Sequence, residues 1–374
     1  MIKYKILSFK APVHIGDRGI GVEAFNNVVP SSTIYGGLLY SIISLYGSNK
    51  VKSHPFILPS SIIPLLEINN NVIPLIWFRG LNVILWDVVK EAMKRNITID
   101  IYHRYLKHLR EVILIDPSIL YRDSITACKP LIHKENEKII YGLKYDDRKY
   151  VIIDVKPFGK ALIRSEVLDR ISDNTLELAI GDRRIRNVID RLTGASDLYY
   201  LGITKYLVRT VILYDVYNRY ALEVDNAFQI LSDLGVGGER TYGLGLFEID
   251  NRYYPEIDKL VGFTSKNSKL TEYYALIQGL GSIICNKHSK IDLNRSLYIS
   301  DVVTGRGGYT GILYRPVPVF REGSILYIKD PYRTDLFNLP LVGDVVIDRC
   351  GFDIVVRDYT PFYIPLPIDY IGVL

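Results

Sequence analysis

Between residues 206 and 249 the chain fixes an order of elements that excludes most glycine-loop folds. A strand-like run, Tyr206 to Leu213, leads to an amphipathic helical run, Val224 to Leu234. Five glycines then fall within the eleven residues Gly235 to Gly245, and a second strand-like run covers Leu244 to Ile249. A dinucleotide fold needs strand, glycine loop and then helix, whereas here the helix comes first and Arg240 stands where the third glycine belongs. A P-loop needs Lys and Ser or Thr after Gly243, and this chain has Leu244 and Gly245. What remains is a β-α-β unit whose second strand is entered through glycines.

The start of the chain supplies the matching half. Tyr4 to Phe9 alternate as a strand, Pro12 breaks the pattern, and His14, Ile15 and Gly16 form a turn. Pro30, Ser31 and Ser32 precede Ile34, Leu38, Leu39, Ile42 and Leu45, so serine hydroxyls can cap a helix in which Gly36 and Gly37 allow close packing. Together these predict an α+β fold with a ferredoxin-like βαββαβ domain over residues 1–250, expanded by insertions at about 50–180. Within the insertions, strands are expected at Val72 to Phe78 and Lys138 to Tyr141, and a helix at Leu85 to Lys94. Lys144 to Lys149 reads as the charged tip of a hairpin. Residues 251–374 are expected to form a second ferredoxin-like (RRM-like) domain, with a helix from Thr271 to Cys285 and strands at Gly311 to Val319 and Ser324 to Ile328. Pro361, Pro365 and Pro367 predict an extended tail.

At 374 residues and 48% hydrophobic, the chain can bury a large core, and its net charge of +5 permits a polyanionic partner without requiring one. Cys128, Cys285 and Cys350 are isolated, which argues against a disulfide framework or a cysteine zinc site and fits a reducing cytoplasm. No apolar run approaches the roughly 18 residues of a membrane span, so no membrane partner is expected. The histidines form no HxH, HxxxH or His-Asp pair, and no metal or cofactor site assembles. His14, at the end of the first strand, is the one residue placed to serve as a general base for RNA cleavage, although no partner for it is visible.

Two sets of residues are suited to RNA. Glycines 235, 237, 238, 243 and 245 can bring backbone N–H groups close to phosphates, while Arg240 offers a phosphate contact and Tyr242 a stacking face beside Thr241. Arg183, Arg184, Arg186 and Arg191 form the sharpest basic cluster, offset by Asp190. At helical spacing Arg183, Arg184 and Arg191 share a face, as an ordinary solvated surface also would.

Three segments in this order resemble the RAMP superfamily of CRISPR-associated proteins: YKILSFKAPVHIG followed by VPSSTIYGGLLYSI, NVIDRLTGASDLYYL, and LGVGGERTYGLGLFEID. Their spacing is similar to the fourth, Cas-five-like subunit of the type III Csm complex, and Glu322 to Ile328 also looks like that group's C-terminal portion. The resemblance implies a non-catalytic subunit that holds the 5′ repeat-derived tag of a CRISPR RNA and docks to a large polymerase-like subunit and to backbone RAMP subunits, meeting target RNA indirectly. It implies that Gly235 to Gly245 face the RNA, and that a β-hairpin thumb exists, for which Lys144 to Lys149 is a candidate; His14 is expected on its own position to have a structural or RNA-packing role. Ser31, Ser32 and Thr33 stand where the family often has Ser-Asp-Thr, so the cap is kept and the carboxylate lost. The alternative within the resemblance is a Cas-six-like, metal-independent endoribonuclease using His14.

Overall fold

The computed structural model describes residues 1–16, 26–48, 50, 55–68, 71–93, 99–135, 138–168, 175–189, 192–283, 291–305, 314–329, 343–350 and 353–371. The fold is α+β, with antiparallel sheets dominating.

The strand Ile2–Phe9 is a central strand of the first sheet, where Ile6 and Leu7 are buried. It pairs antiparallel with Thr210–Val216 on one side and Phe247–Asp250 on the other. Thr210–Val216 in turn pairs with Ile57–Pro59 and Ile63–Ile68. Counting Ile57–Pro59 and Ile63–Ile68 together as the second strand, the order along the sheet is 4-1-3-2, with Asn71–Pro74 added beyond Ile63–Ile68, the helix Ser31–Tyr46 in the first crossover and Ala221–Leu234 in the second. That is the ferredoxin-like arrangement expected for this half. Ala221–Leu234 buries Val224, Ala227, Phe228 and Leu231, one stripe at helical spacing. Gly37 meets it closely, since a Cβ there would lie 2.9 Å from Leu231 Cδ1, whereas Gly36 faces open space.

The serine cap does not form. Pro30 occupies the N-cap position of Ser31–Tyr46 with no side-chain hydrogen bond. Ser31 is buried in the first turn: its N–H donates to Ser61 Oγ, and its own Oγ accepts from the N–H of Leu280. A long-range partner has taken the hydroxyl that a local cap would use.

The inserted region builds its own seven-stranded sheet, running from Ile76–Trp77 through Val112–Ile115, Gly159–Arg164, Arg148–Lys156 and Lys138–Tyr145 to Lys129–Glu135, with Thr175–Glu177 beside Arg148–Lys156. The helix Ile99–Glu111 lays Tyr102, Tyr105 and Leu109 inward, and the Tyr105 hydroxyl donates to the Gly142 carbonyl. The expected helix near residue 85 is Trp86–Met93. The hairpin with its tip at Lys144 to Lys149 forms, but both strands are paired on their other edges within this sheet.

The second sheet corrects the sequence reading of residues 271–285. The helix lies earlier, at Pro255–Asn267, and Glu272–Ile277 is a strand buried from Tyr273 to Ile277; Cys285 is outside the described residues. Its neighbours are Ile325–Lys329 and Tyr363–Leu366, with Ile291–Leu297 beyond Ile325–Lys329. This sheet repeats the 4-1-3-2 order. Residues 311–313 of the expected strand Gly311 to Val319 lie outside the described residues, and Val317–Phe320 is its observed part. The tail is extended only as far as Leu366, after which Ile368–Ile371 is a short helix. One continuous apolar core links both sheets and the inserted sheet.

Candidate nucleic-acid interface

Ala221–Leu234 ends at Gly235, whose N–H donates to the Leu231 carbonyl. The following glycines let the segment fold onto itself and onto the chain just after the first strand. Gly245 has φ +75°, and a Cβ there would stand 2.0 Å from the Val236 carbonyl oxygen. Gly237 has φ +95° and its Cβ would fall 2.5 Å from the His14 carbonyl oxygen. Both positions demand glycine on conformational and steric grounds together. The N–H groups of Gly235, Gly238, Gly243 and Gly245 donate to the carbonyls of Leu231, His14, Arg240 and Pro12. The expectation that these glycines offer their N–H groups to phosphate is therefore corrected: four of the five donors are committed within the protein.

Side chains carry the exposed surface instead. Glu239, in left-handed conformation, leads into the single turn Arg240–Tyr242, where Arg240, Thr241 and Tyr242 are all exposed. Tyr242 is 65% exposed. The Arg186 guanidinium carbon lies 4.1 Å from the centroid of its ring, and that of Arg240 lies 5.7 Å from the ring of Tyr40 on the helix Ser31–Tyr46. Guanidinium over an aromatic face is attractive through the ring quadrupole.

Arg186 reaches Tyr242 because its segment is not helical. Ala179–Ile189 and Ser196–Tyr206 form a separate two-stranded hairpin, paired along all eleven residues of each strand. On a strand, neighbours point to opposite faces. Arg184 and Arg186 thus share a face with their partners Leu201 and Tyr199, while Arg183 lies on the other face opposite Gly202. The predicted helical grouping of Arg183 with Arg184 is wrong for this reason, and Arg191 lies outside the described residues. Leu201 and Ile203 pack with Leu244, which seats the hairpin on the glycine segment.

The residues Pro12 to His14 strap the two elements together. Val13 exchanges both backbone hydrogen bonds with Thr204 in the hairpin, and the carbonyls of Pro12 and His14 accept from Gly245 and Gly238. His14 Nδ1 is 2.6 Å from the Gly202 carbonyl oxygen. That oxygen can only accept, so Nδ1 carries a proton and donates to it. The imidazole packs on Gly238, where a Cβ would come 2.8 Å from His14 Cδ2.

His14, Gly238, Arg240, Tyr242, Arg184 and Arg186 therefore converge on one surface. Ser31, Ser32 and Thr33 do not: Ser31 is buried against Ser61 and Leu280, and Ser32 and Thr33 are half-buried in the same turn. They lie about 10–14 Å along the helix from Tyr40, at about 1.5 Å per residue. Among the described residues, no group of three or more His, Cys, Asp or Glu side chains could hold a metal ion. No described helix is long and apolar enough to cross a membrane.

The family model of the RAMP superfamily matches residues 6–248, which span the first sheet, the hairpin and the glycine segment. The chain belongs to the RAMP superfamily. No curated protein matches it in sequence. Among solved structures, this RAMP protein is similar to a chain of the crystal structure of the Csm3-Csm4 subcomplex in the type III-A CRISPR-Cas interference complex. The identity is 15%, the alignment covers 97% of this chain and 99% of that chain, and the TM-score is 0.55, a likeness of fold. A chain of the Csm1-Csm4 cassette in complex with pppApA aligns at 13% identity over 97% and 98% of the two chains, with TM-score 0.43. A chain of the type III-B Cmr-beta complex bound to cognate target RNA and AMPPnP aligns at 11% identity over 87% and 86%, with TM-score 0.42.

Sequence reasoning missed two contributors to this RAMP surface. Tyr40 is 55% exposed, and its place off the spacing of the buried Ile34, Leu38 and Ile42 was the available signal. Tyr199 became visible only through its pairing with Arg186.

Proposed function

We propose that this chain is a non-catalytic, CRISPR RNA-binding subunit of a type III interference complex, holding the 5′ repeat-derived tag and docking to a large polymerase-like subunit and backbone RAMP subunits. The observation that carries this reading is the convergence of the hairpin and the glycine segment, with Arg184, Arg186, Arg240, Tyr40 and Tyr242 on one surface. Guanidinium groups fix a strand through its phosphates, and tyrosine faces stack on bases of any sequence. The hairpin Ala179–Tyr206 is the element suited to part the tag from the guide, a role for which the Lys144 to Lys149 tip is hindered by its pairing inside a sheet. The likeness in fold to a chain of a Csm3-Csm4 subcomplex supports the setting.

A metal-independent endoribonuclease centred on His14 is the second reading, supported by Nε2, which makes no hydrogen bond among the described residues. Cleavage also needs a group to protonate the leaving oxygen, and the described contacts of His14 are to Gly202 and Gly238, neither of which titrates.

The deciding experiment is purification with and without Arg240→Ala and Arg186→Ala, followed by titration with repeat-derived RNA at several salt concentrations. Short RNA of defined 5′ end co-purifying with the wild type, and a salt slope that falls by about 0.7 per arginine removed, are expected. RNA-free protein whose affinity ignores both substitutions overturns the reading. Cleavage of repeat RNA that disappears in His14→Ala establishes the second reading instead.

A further inference from the structure

Two pairings in the inserted sheet set like charges against each other. Lys129 of Lys129–Glu135 lies directly opposite Lys144 of Lys138–Tyr145, and Lys144 lies directly opposite Lys149 of Arg148–Lys156. Directly opposed residues share a face, so three lysines stand in one row across three adjacent strands. All three are exposed. Like charges in this relation destabilise a sheet, and Lys144 has one on either side. Ion pairs do form on this sheet, Lys160 with Asp154 and Glu111, but on the opposite face. Among the described residues no ion pair includes Lys129, Lys144 or Lys149, although Asp146 and Asp147 lie in the turn beyond the row. A local arrangement that works against the fold is expected where function requires it.

The surroundings of the row select among polyanions. Its face continues through Leu131, Ile140, Gly142 and Val151, which are half-buried or buried. No exposed apolar anchor of the kind that centres a protein interface stands there, and lysine itself is depleted in such interfaces. Tyr141, Tyr145 and Tyr150 alternate onto the opposite face, so no tyrosine of these strands lies beside the row to stack on unpaired bases. Lysines are point charges on flexible stems, suited to phosphates and poor at reading base edges. With strands about 4.8 Å apart the row is about 10 Å long, a length over which each strand of a duplex carries about three phosphates.

We propose that Lys129, Lys144 and Lys149 form a second nucleic-acid contact, which holds the phosphate backbone of a double-stranded nucleic acid whatever its sequence. A duplex keeps its bases stacked inside and presents evenly spaced charge, which is what this face can use. The contact is separate from the hairpin surface. The Lys156 carbonyl accepts from the N–H of Leu178 at the foot of the hairpin, and Lys149 lies about 23 Å from Lys156 along the same strand.

Fluorescence anisotropy of the full chain with short RNA and DNA duplexes, and with single-stranded repeat-derived RNA, over a range of salt concentrations tests this. Replacing all three lysines by glutamine should make the duplex salt slope shallower by about 0.9 per lysine, about 2.7 in total, and leave single-stranded RNA binding unchanged. Replacing all three by arginine should keep the wild-type slope. Because the row is exposed and self-repelling, the glutamine variant should unfold at a temperature no lower than the wild type. A shallower slope on both duplexes, or on one alone, supports the contact and names the duplex. Failure of the wild type to bind a duplex, a slope unchanged by glutamine, or an equal loss on single-stranded RNA overturns the proposal. A lowered unfolding temperature also overturns it and gives the row to the fold, and unchanged duplex binding with loss of partner subunits gives it to an acidic protein face. The tag-binding reading rests on Arg186 and Arg240 and survives each of these failures.

Discussion

Arg186 of the hairpin lies over the ring of Tyr242 in the glycine segment, 4.1 Å from guanidinium carbon to centroid. This pair presents a cation and an aromatic ring together, so RNA binding should not register the two side chains independently. Tyr242→Ala is expected to cost about 1–3 kcal/mol of RNA affinity, as loss of a stacking ring does. Arg186→Ala should cost a similar amount, and the double variant less than the sum by about 0.5–1 kcal/mol. Fluorescence anisotropy across the four proteins measures the coupling; strict additivity would show that the rings and guanidinium act apart.

Two glycines should respond in opposite directions to the same change. Gly245→Ala meets the Val236 carbonyl at 2.0 Å in a left-handed backbone and should destabilise the fold by at least about 2 kcal/mol. Gly36→Ala enters open space within a helix and should stabilise it by about 0.5–1 kcal/mol. Urea midpoints at constant slope read both.

Asp116 is fully buried and its carboxylate holds Arg164 at 2.5 Å while also accepting from the N–H of Ser118. Arg164→Ala leaves that carboxylate without its cation, an expected loss of about 3–5 kcal/mol. Asp116→Asn in the same background should recover part of it, because the neutral amide has no charge to strand. A single-variant loss below about 1 kcal/mol would mean that the pair is solvated in solution.

Acid should weaken the first sheet. Arg252 holds the Asp250 carboxyl well below its ordinary range, with Tyr254 and Arg209 adding to it, and Lys50 lowers Glu223 in the same way. A carboxyl whose folded value lies below its unfolded value, near 4, stabilises the fold above that pH and loses the contribution as pH falls toward the folded value. Stability is therefore expected to decline from about pH 5 downward. The decline should be shallower in Asp250→Asn, which has less to lose; unfolding midpoints between pH 3 and 6 compare the two.

The half of the fold that follows hydrophobic periodicity was legible in the sequence. Val224, Ala227, Phe228 and Leu231 mark one helix face, and the strands on either side alternate or run apolar, so the β-α-β unit and its glycine exit could be placed. The hairpin Ala179–Tyr206 could not, because much of it stands away from the core: Ile185 is 64% exposed and Leu198 71% exposed on the face that carries Arg183. From Ile180 to Asn187 no residue is buried, so that strand has no period to read, and its arginines passed for a helical face. Glu272–Ile277 failed for the opposite reason. Buried on both faces, it reads as a continuous apolar run, which a short strand and a buried helix share. Ser31 misled because a local motif cannot reveal that its partner is Leu280.

The central position of Ile2–Phe9 bears on how the chain is made. Its neighbours, Thr210–Val216 and Phe247–Asp250, lie more than 200 residues downstream. During synthesis the opening strand leaves the ribosome with both edges unpaired, and the first sheet cannot close until residue 250 has emerged. Such distant pairing slows folding and leaves exposed edges open to aggregation in the interval. Fragments ending before Phe247 should accumulate poorly for want of an edge partner, whatever the stability of the inserted sheet.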